Sequence, residues 1–267
     1  MNILALNTIF KIKMKNCAIV IPVYRELNAY EKFSYNVLKS VVKDKDIYIV
    51  CGNKFKIELK EHIERFDDAY FNSSIDYSRL CKSYEFYNRF SNYKYILIYQ
   101  LDCLIFKDEI DYWCDKDYDY IGAPIISNNA GWSFAPIVGN GGFSLRKVDY
   151  FKSITNPDSE FRKKYDSILE THKKKEKYEE FEDLYFCEFV NSKWLFDVPT
   201  IEESLQFAID MNPDIVFDSN RGLPMGCHAF CKNIPFWEKI VKFPEDVKYA
   251  AYKEHGEFMK IYYDTHI

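Results

Sequence analysis

Three features of the chain predict a single-domain α/β fold with a Rossmann-like mixed central sheet flanked by helices. Short, almost wholly apolar runs recur at 16–24, 46–52, 95–99 and 104–106. Stretches with apolar residues at helical spacing separate them, and such alternation builds a sheet covered on both faces. The 267 residues suffice for one large domain with a sizeable core.

The elements follow in order. "NCAIVIPVY" (16–24), ended by Pro22, reads as a central parallel strand. A helix is expected from about Glu31 to Val42, and "DIYIVCG" (46–52) is a second buried strand. "KIELKEHIERF" predicts a helix, "AYFNSS" a third short strand, and "SIDYSRLCKSYEFYNRF" a further helix before the strand stretch "YKYILIYQLDCLIFKDE" (93–109). A doubly wound sheet of this kind carries its site at the carboxyl ends of the strands. After Asp115 the pattern changes. "YIGAP" and "NNAGWSFAPIVGNGGFSLRK" are rich in glycine, proline and asparagine, with short strands between. "EFRKKYDSILETHKKKEKYEEFEDLYFCEFV" reads as a charged helix running into an aromatic one, with lysines 173–175 on a solvated face. Residues 1–15 are expected to be a disordered leader, with Met14 as an alternative start. Residues 16–267 form one domain, in halves 16–115 and 116–267.

Composition excludes several classes. Hydrophobic content of 48% and charged content of 29% are those of a soluble globular protein. A net charge of −5 offers no global basic field for nucleic acid. The 22 tyrosines and 22 phenylalanines accompany a bias toward Lys, Ile and Asn, so their number carries no functional weight. The eight cysteines are scattered, mostly in apolar runs, as reduced buried thiols are. Cys227 and Cys231 bracket "CHAFC", but no second pair at ligand spacing supports zinc. The N-terminal lysines follow the apolar residues, the reverse of a secretory signal, and no run is long enough to span a bilayer. A cytoplasmic location is expected, at the inner face of the membrane where contact is peripheral.

Four features then line up. Pro22-Val23-Tyr24-Arg25 follows the first strand, and Gln100-Leu101-Asp102 ends a later one. "GNGGFSLR" spans 139–146. Glu182-Asp183 opens a helix, and "GCHAF" follows with His228. Each alone has a plain reading: a strand-end Asp is usually a cap, Gly-Gly a turn, paired acids a complement to the helix dipole, a lone His a hydrogen-bonded residue. Asp102 is harder to dismiss, because a carboxylate ending an apolar strand demands a partner.

In this order the motifs resemble the GT-A glycosyltransferases, specifically a bacterial GT-A-like family linked to surface polysaccharides. The resemblance runs over residues 16–235. It implies a nucleotide-binding half followed by an acceptor-side half. "YQLDC" stands where that superfamily has its metal-binding D-x-D, with Gln100 replacing one acid, so that Asp102 and His228 would hold Mn²⁺ or Mg²⁺. The resemblance places donor contacts at Pro22, Val23, Tyr24, Arg25, Tyr77, Arg79, Gln100, Leu101, Asp102, Asn140, Gly141 and Gly142. It places Trp132 and Glu182 on the acceptor side and makes Asp183 the general base. The glycines would let the donor sugar approach the backbone. The implied reaction moves a sugar from a UDP-sugar to a hydroxyl of a glycan or lipid-linked acceptor, with inversion, since a retaining enzyme needs no such base.

Other classes fit less well. A sugar-nucleotide pyrophosphorylase needs a glycine-rich loop after strand one, and "PVYRELNAY" has no glycine. A metal-dependent sugar-phosphate enzyme would show more paired Asp and His than five histidines supply. Gln100 favours a non-catalytic sugar- or nucleotide-binding module, and Glu182-Asp183 opposes it, because a binder needs no base.

Overall fold

The structure, a computed structural model, describes residues 14–126, 137–171, 181–191 and 196–266. The first half contains β1 (Lys15–Pro22), α1 (Ala29–Val41), β2 (Asp46–Gly52), β3 (His62–Phe66), α2 (Ser74–Cys81), α3 (Tyr84–Arg89), β4 (Tyr93–Tyr99), β5 (Leu104–Ile105) and α4 (Ile110–Asp115). The middle adds β6 (Tyr120–Gly122), β7 (Pro124–Ile125), β8 (Ile137–Val138), β9 (Phe143–Lys147), α5 (Val148–Thr155), α6 (Glu160–Thr171) and α7 (Glu182–Asn191). The last part supplies α8 (Ile201–Phe207), β10 (Ala208–Ile209), α9 (Pro213–Val216), β11 (Gly226–Cys227), α10 (Ile234–Trp237) and α11 (Glu245–His266).

The six-stranded sheet has the order β3-β2-β1-β4-β9-β6. Its first four strands are parallel, and β9 lies antiparallel between β4 and β6. Side chains alternate across it as strand geometry requires. Ala18, Val20, Ile96 and Ile98 join a core with Phe86, Tyr87 and Phe151 on one face. Ile19, Ile21, Leu97 and Tyr99 meet Leu38 and Trp113 on the other. A third cluster packs α11 through Val247 and Ala251 against Tyr30, Phe230 and Trp237. That cluster fixes the segment carrying His228 beside the first strand's loop.

The expected strand at 46–52 coincides with β2, and the first strand, expected over 16–24, runs over Lys15–Pro22. The stretch 93–109 expected as a strand divides into β4 and the short β5, with a turn between them. Two expectations are corrected. The helix expected over 56–66 is a strand from His62, paired in parallel with β2 from Tyr48↔His62 to Gly52↔Phe66. Its charges mimic a helix face, but the open edge of β2 offers the backbone a ladder, and charged side chains suit a sheet edge. The strand expected at "AYFNSS" is a single 3-10 turn over Asp68–Phe71, nucleated by Asp67, whose Oδ1 accepts from Ala69 N at 2.9 Å. The helix that follows is interrupted where Ser83 caps α3, its Oγ accepting from Phe86 N at 3.2 Å. The leader through residue 13, lysines 173–175 and Trp132 lie outside the described residues. Among the described residues, seven cysteines are free and buried, as their apolar settings foretold.

Candidate active site

In the order β3-β2-β1-β4 the chain reverses direction across the sheet between β1 and β4, and the crevice beyond the carboxyl ends of those two strands is where such folds bind ligands. A cavity of about 440 Å³ opens there. The end of β1 lines it with Pro22, Val23, Tyr24 and Arg25, and the end of β4 with Gln100, Leu101 and Asp102. Tyr77 of α2 completes one wall, and Lys232, Glu254 and His255 close another.

Strand register builds the centre. β10 and β11 are parallel, with Ile209 opposite Cys227, so one step further sets Asp210 beside His228. β11 runs antiparallel to β5, with Cys227 opposite Leu104, and Phe230 N donates to Asp102 O at 3.0 Å. His228 therefore faces the turn after β4. Its Nδ1 is 2.7 Å from Asp210 Oδ1, and its Nε2 is 3.3 Å from both Asp102 Oδ1 and Gln100 Oε1. Burial would lower the imidazole, but the two aspartates outweigh it and push His228 up to about 10. Burial would likewise raise Asp102, while the His228 charge, helped by Lys232, holds it below the usual carboxylate range.

Asp102 Oδ1 is buried and meets His228 Nε2 in an ion pair at 3.3 Å whose geometry falls short of a hydrogen bond. A buried carboxylate oxygen without a well-aligned donor is costly, and here it lies beside an imidazole nitrogen whose ring is oriented from the far side by the Asp210 carboxylate. That is the way metal-ligating histidines are held. The residues thus fit a divalent cation bound by Asp102 and His228. Cys103 also brings its sulfur within 4.8 Å of both ligand atoms. Burial, however, pushes its thiol well up, and Sγ donates to Gly142 O at 3.3 Å, so it acts as a packed thiol.

Asp183 sits in the first turn of α7. Its carboxylate accepts from Leu184 N at 2.8 Å and from Gly141 N at 3.4 Å. Burial, then the neighbouring Glu182 charge, raises it to about 6. Asn140 Oδ1 accepts from Gly142 N at 2.7 Å, and Gln100 N donates to Gly142 O at 2.9 Å, which ties the glycine turn to the end of β4.

Several expectations change at this level. Asn140, Gly141, Gly142, Asp183 and His228 stand behind the cavity wall rather than among its lining residues, and Arg79 does not line the cavity either. It pairs on the exposed side of α2 with Asp76 at 2.8 Å, one helical turn earlier. Glu182 does not face an acceptor, because it is buried in an ion pair with Arg146 at 2.8 Å. The missing Cβ atoms of Gly141 and Gly142 make room for the chain's own side chains: a Cβ would fall 2.0 Å from Glu182 Oε1 in the first case and 2.3 Å from His228 Nε2 in the second. Asp210, Arg146 and Lys232 escaped the sequence reading. The signal for Asp210 was a second acid closing a short apolar run, "FAID". The signal for Lys232 was a cation four residues after His228.

A family model described as "Protein of unknown function (DUF5672)" matches residues 60–228, from just before β3 to His228. No curated protein matches the sequence. Among solved structures, the apo form of the glycosyltransferase GlyE of Streptococcus pneumoniae TIGR4 is similar, at 13% identity and a TM-score of 0.49, over 94% of this chain and 64% of that one. A second GlyE structure gives 12% identity and the same score and coverage. This chain thus spans about two thirds of the length of those proteins at most.

Proposed function

This chain belongs to the DUF5672 family, and we propose that it is a GT-A-type glycosyltransferase. The reaction moves a sugar from a nucleoside-diphosphate sugar, a UDP-sugar on the family resemblance, to a hydroxyl of a glycan or lipid-linked acceptor of the surface-polysaccharide class. The observation that carries this reading is Asp102, which lines a cavity of about 440 Å³ at the sheet's switch point and sets its buried Oδ1 against His228 Nε2 at 3.3 Å.

Asp102 and His228 would hold the divalent cation, and a carboxylate with an imidazole suits Mn²⁺ better than Mg²⁺. Bound there, it supplies positive charge against the leaving diphosphate. Lys232 adds a cation on the cavity wall, and its charge reaches Asp102. Arg25 is bound between Glu31 at 2.9 Å and Glu254 at 3.3 Å, so it shapes the wall, and a phosphate would have to compete with Glu254 for it. Asp183, ionised at neutral pH with its carboxyl at about 6, accepts the proton of the acceptor hydroxyl, which favours inversion.

The cytoplasmic face of a membrane is the proposed setting. Among the described residues no helix is long and apolar enough to cross a bilayer. The test is nucleotide release from a panel of UDP-, GDP- and dTDP-sugars with and without Mn²⁺, extended to mixtures containing lipid-linked acceptors. Release from one donor that depends on Mn²⁺ supports the reading, and no release from any donor rejects it.

A further inference from the structure

Arg146, on β9, has no solvent exposure. A guanidinium costs much to bury unless every donor is met. Here Nε donates to Ser144 Oγ at 3.0 Å, Nη1 to Tyr87 Oη at 3.0 Å, and Nη2 to Glu182 Oε1 at 2.8 Å and Gly141 O at 3.3 Å. The rings of Tyr120 and Phe151 lie 5.6 Å from it on the cation–π contacts. One side chain thus joins β9, α3, the glycine turn and the first turn of α7. The Glu182 carboxylate occupies the space a Cβ on Gly141 would take, at 2.0 Å from Oε1. The next residue, Asp183, reaches the same glycine from the other side, through its amide.

A buried ion pair is often no more stabilising than apolar residues of the same volume. Its place beside a catalytic candidate therefore invites a role other than stability. We propose that the Arg146–Glu182 pair positions Asp183, fastening the start of α7 to the glycine turn so that the Asp183 carboxylate stays on the Gly141 amide. Glu182 is then a positioning residue and not an acceptor contact. The consequence for turnover rests on Asp183 being the base, and the geometry does not.

The decisive readout is the Gly141 amide in ¹⁵N–¹H spectra of the full chain. An amide that donates to a carboxylate shifts as that carboxylate ionises. The charges that raise Asp183 are those of Glu182 on its own helix and Asp210 at the end of β10, and the Arg146 guanidinium on β9 stands behind Glu182. In wild type the Gly141 amide should titrate with a midpoint near 6, and in Asp183→Asn it should not. The double variant Arg146→Met/Glu182→Leu should stay folded, lose that titration, and lose roughly 10–100-fold in kcat with donor KM unchanged, as expected for a misplaced catalytic group. Glu182→Gln, which keeps the Arg146 hydrogen bond, should retain the titration, and Arg146→Lys, which loses the planar fork, should abolish it. Should the double variant fail to fold, the comparison of Glu182→Gln with Arg146→Lys decides. A Gly141 amide that does not titrate in wild type overturns the proposal. So does one that still titrates in a folded double variant or in Arg146→Lys. A wild type inactive on every sugar nucleotide would reject the transferase reading and leave this spectroscopic result standing.

Discussion

Gly142 and His228 are packed so closely that a Cβ on Gly142 would stand 2.3 Å from His228 Nε2 and 2.8 Å from Gln100 Oε1. The imidazole cannot simply swing aside, because its Nδ1 is held by Asp210 at 2.7 Å. Gly142→Ala is therefore expected to displace His228 from Asp102. It should cost about 1–3 kcal/mol of stability by overpacking and weaken Mn²⁺ binding. Chemical denaturation and calorimetric titration check the two effects. Full metal affinity in a stable Gly142→Ala would contradict this geometry.

Asp210→Asn leaves the ring space filled but removes the charge that orients His228. A reduction of 10–100-fold in Mn²⁺ affinity is the usual effect of losing such a partner. Calorimetry measures it directly, and unchanged affinity would show that Asp210 is not coupled to the ion.

The His228 imidazole, raised to about 10 without an ion, must lose its proton to bind one. Mn²⁺ affinity should therefore rise with pH, by up to about tenfold per unit between pH 6 and 8. In the metal-free protein the sign is opposite for stability. A histidine raised in the folded state contributes stability that is fully present below its unfolded value near 6.5 and is lost as pH rises through about 10. His228→Ala should abolish the pH dependence of Mn²⁺ affinity, and affinity that is flat with pH in wild type would refute the assignment.

Asp183→Asn is expected to lower turnover by about 10²–10⁴ with donor binding nearly unchanged. The rate of wild type should rise with pH through about 6 as the base ionises. A carboxyl raised in the folded state contributes stability present below its unfolded value near 3.8 and lost as pH rises through about 6. Asp183→Asn should accordingly flatten the stability profile over that window. Normal turnover in the folded variant would remove Asp183 from the chemistry.

The strands that position the site were legible because burial on both faces leaves an apolar run, and β2 and β4 lie where such runs stand. β3 was not, since an edge strand keeps its charges and owes its shape to β2 rather than to its own residues. Within the site, Asp102 stood out as a carboxylate ending an apolar strand, and the fold does bring it to 3.3 Å from His228. Asp210 meets His228 only through the register of two short parallel strands, a relation with no local signature. Glu182 and Asp183 are neighbours in sequence but part in space. One turns inward to Arg146 and the other to the glycine amide, and only the folded context of β9 tells them apart.

The central claim is that Asp102 holds, through a divalent ion, the diphosphate of a sugar nucleotide in the cavity at the switch point. Calorimetric titration of UDP into wild type and Asp102→Asn, each with and without Mn²⁺, tests it most directly. The predicted result is binding to wild type that requires Mn²⁺, and a loss of tenfold or more in Asp102→Asn with the fold intact. Equal UDP binding by both proteins in the presence of Mn²⁺ would contradict it.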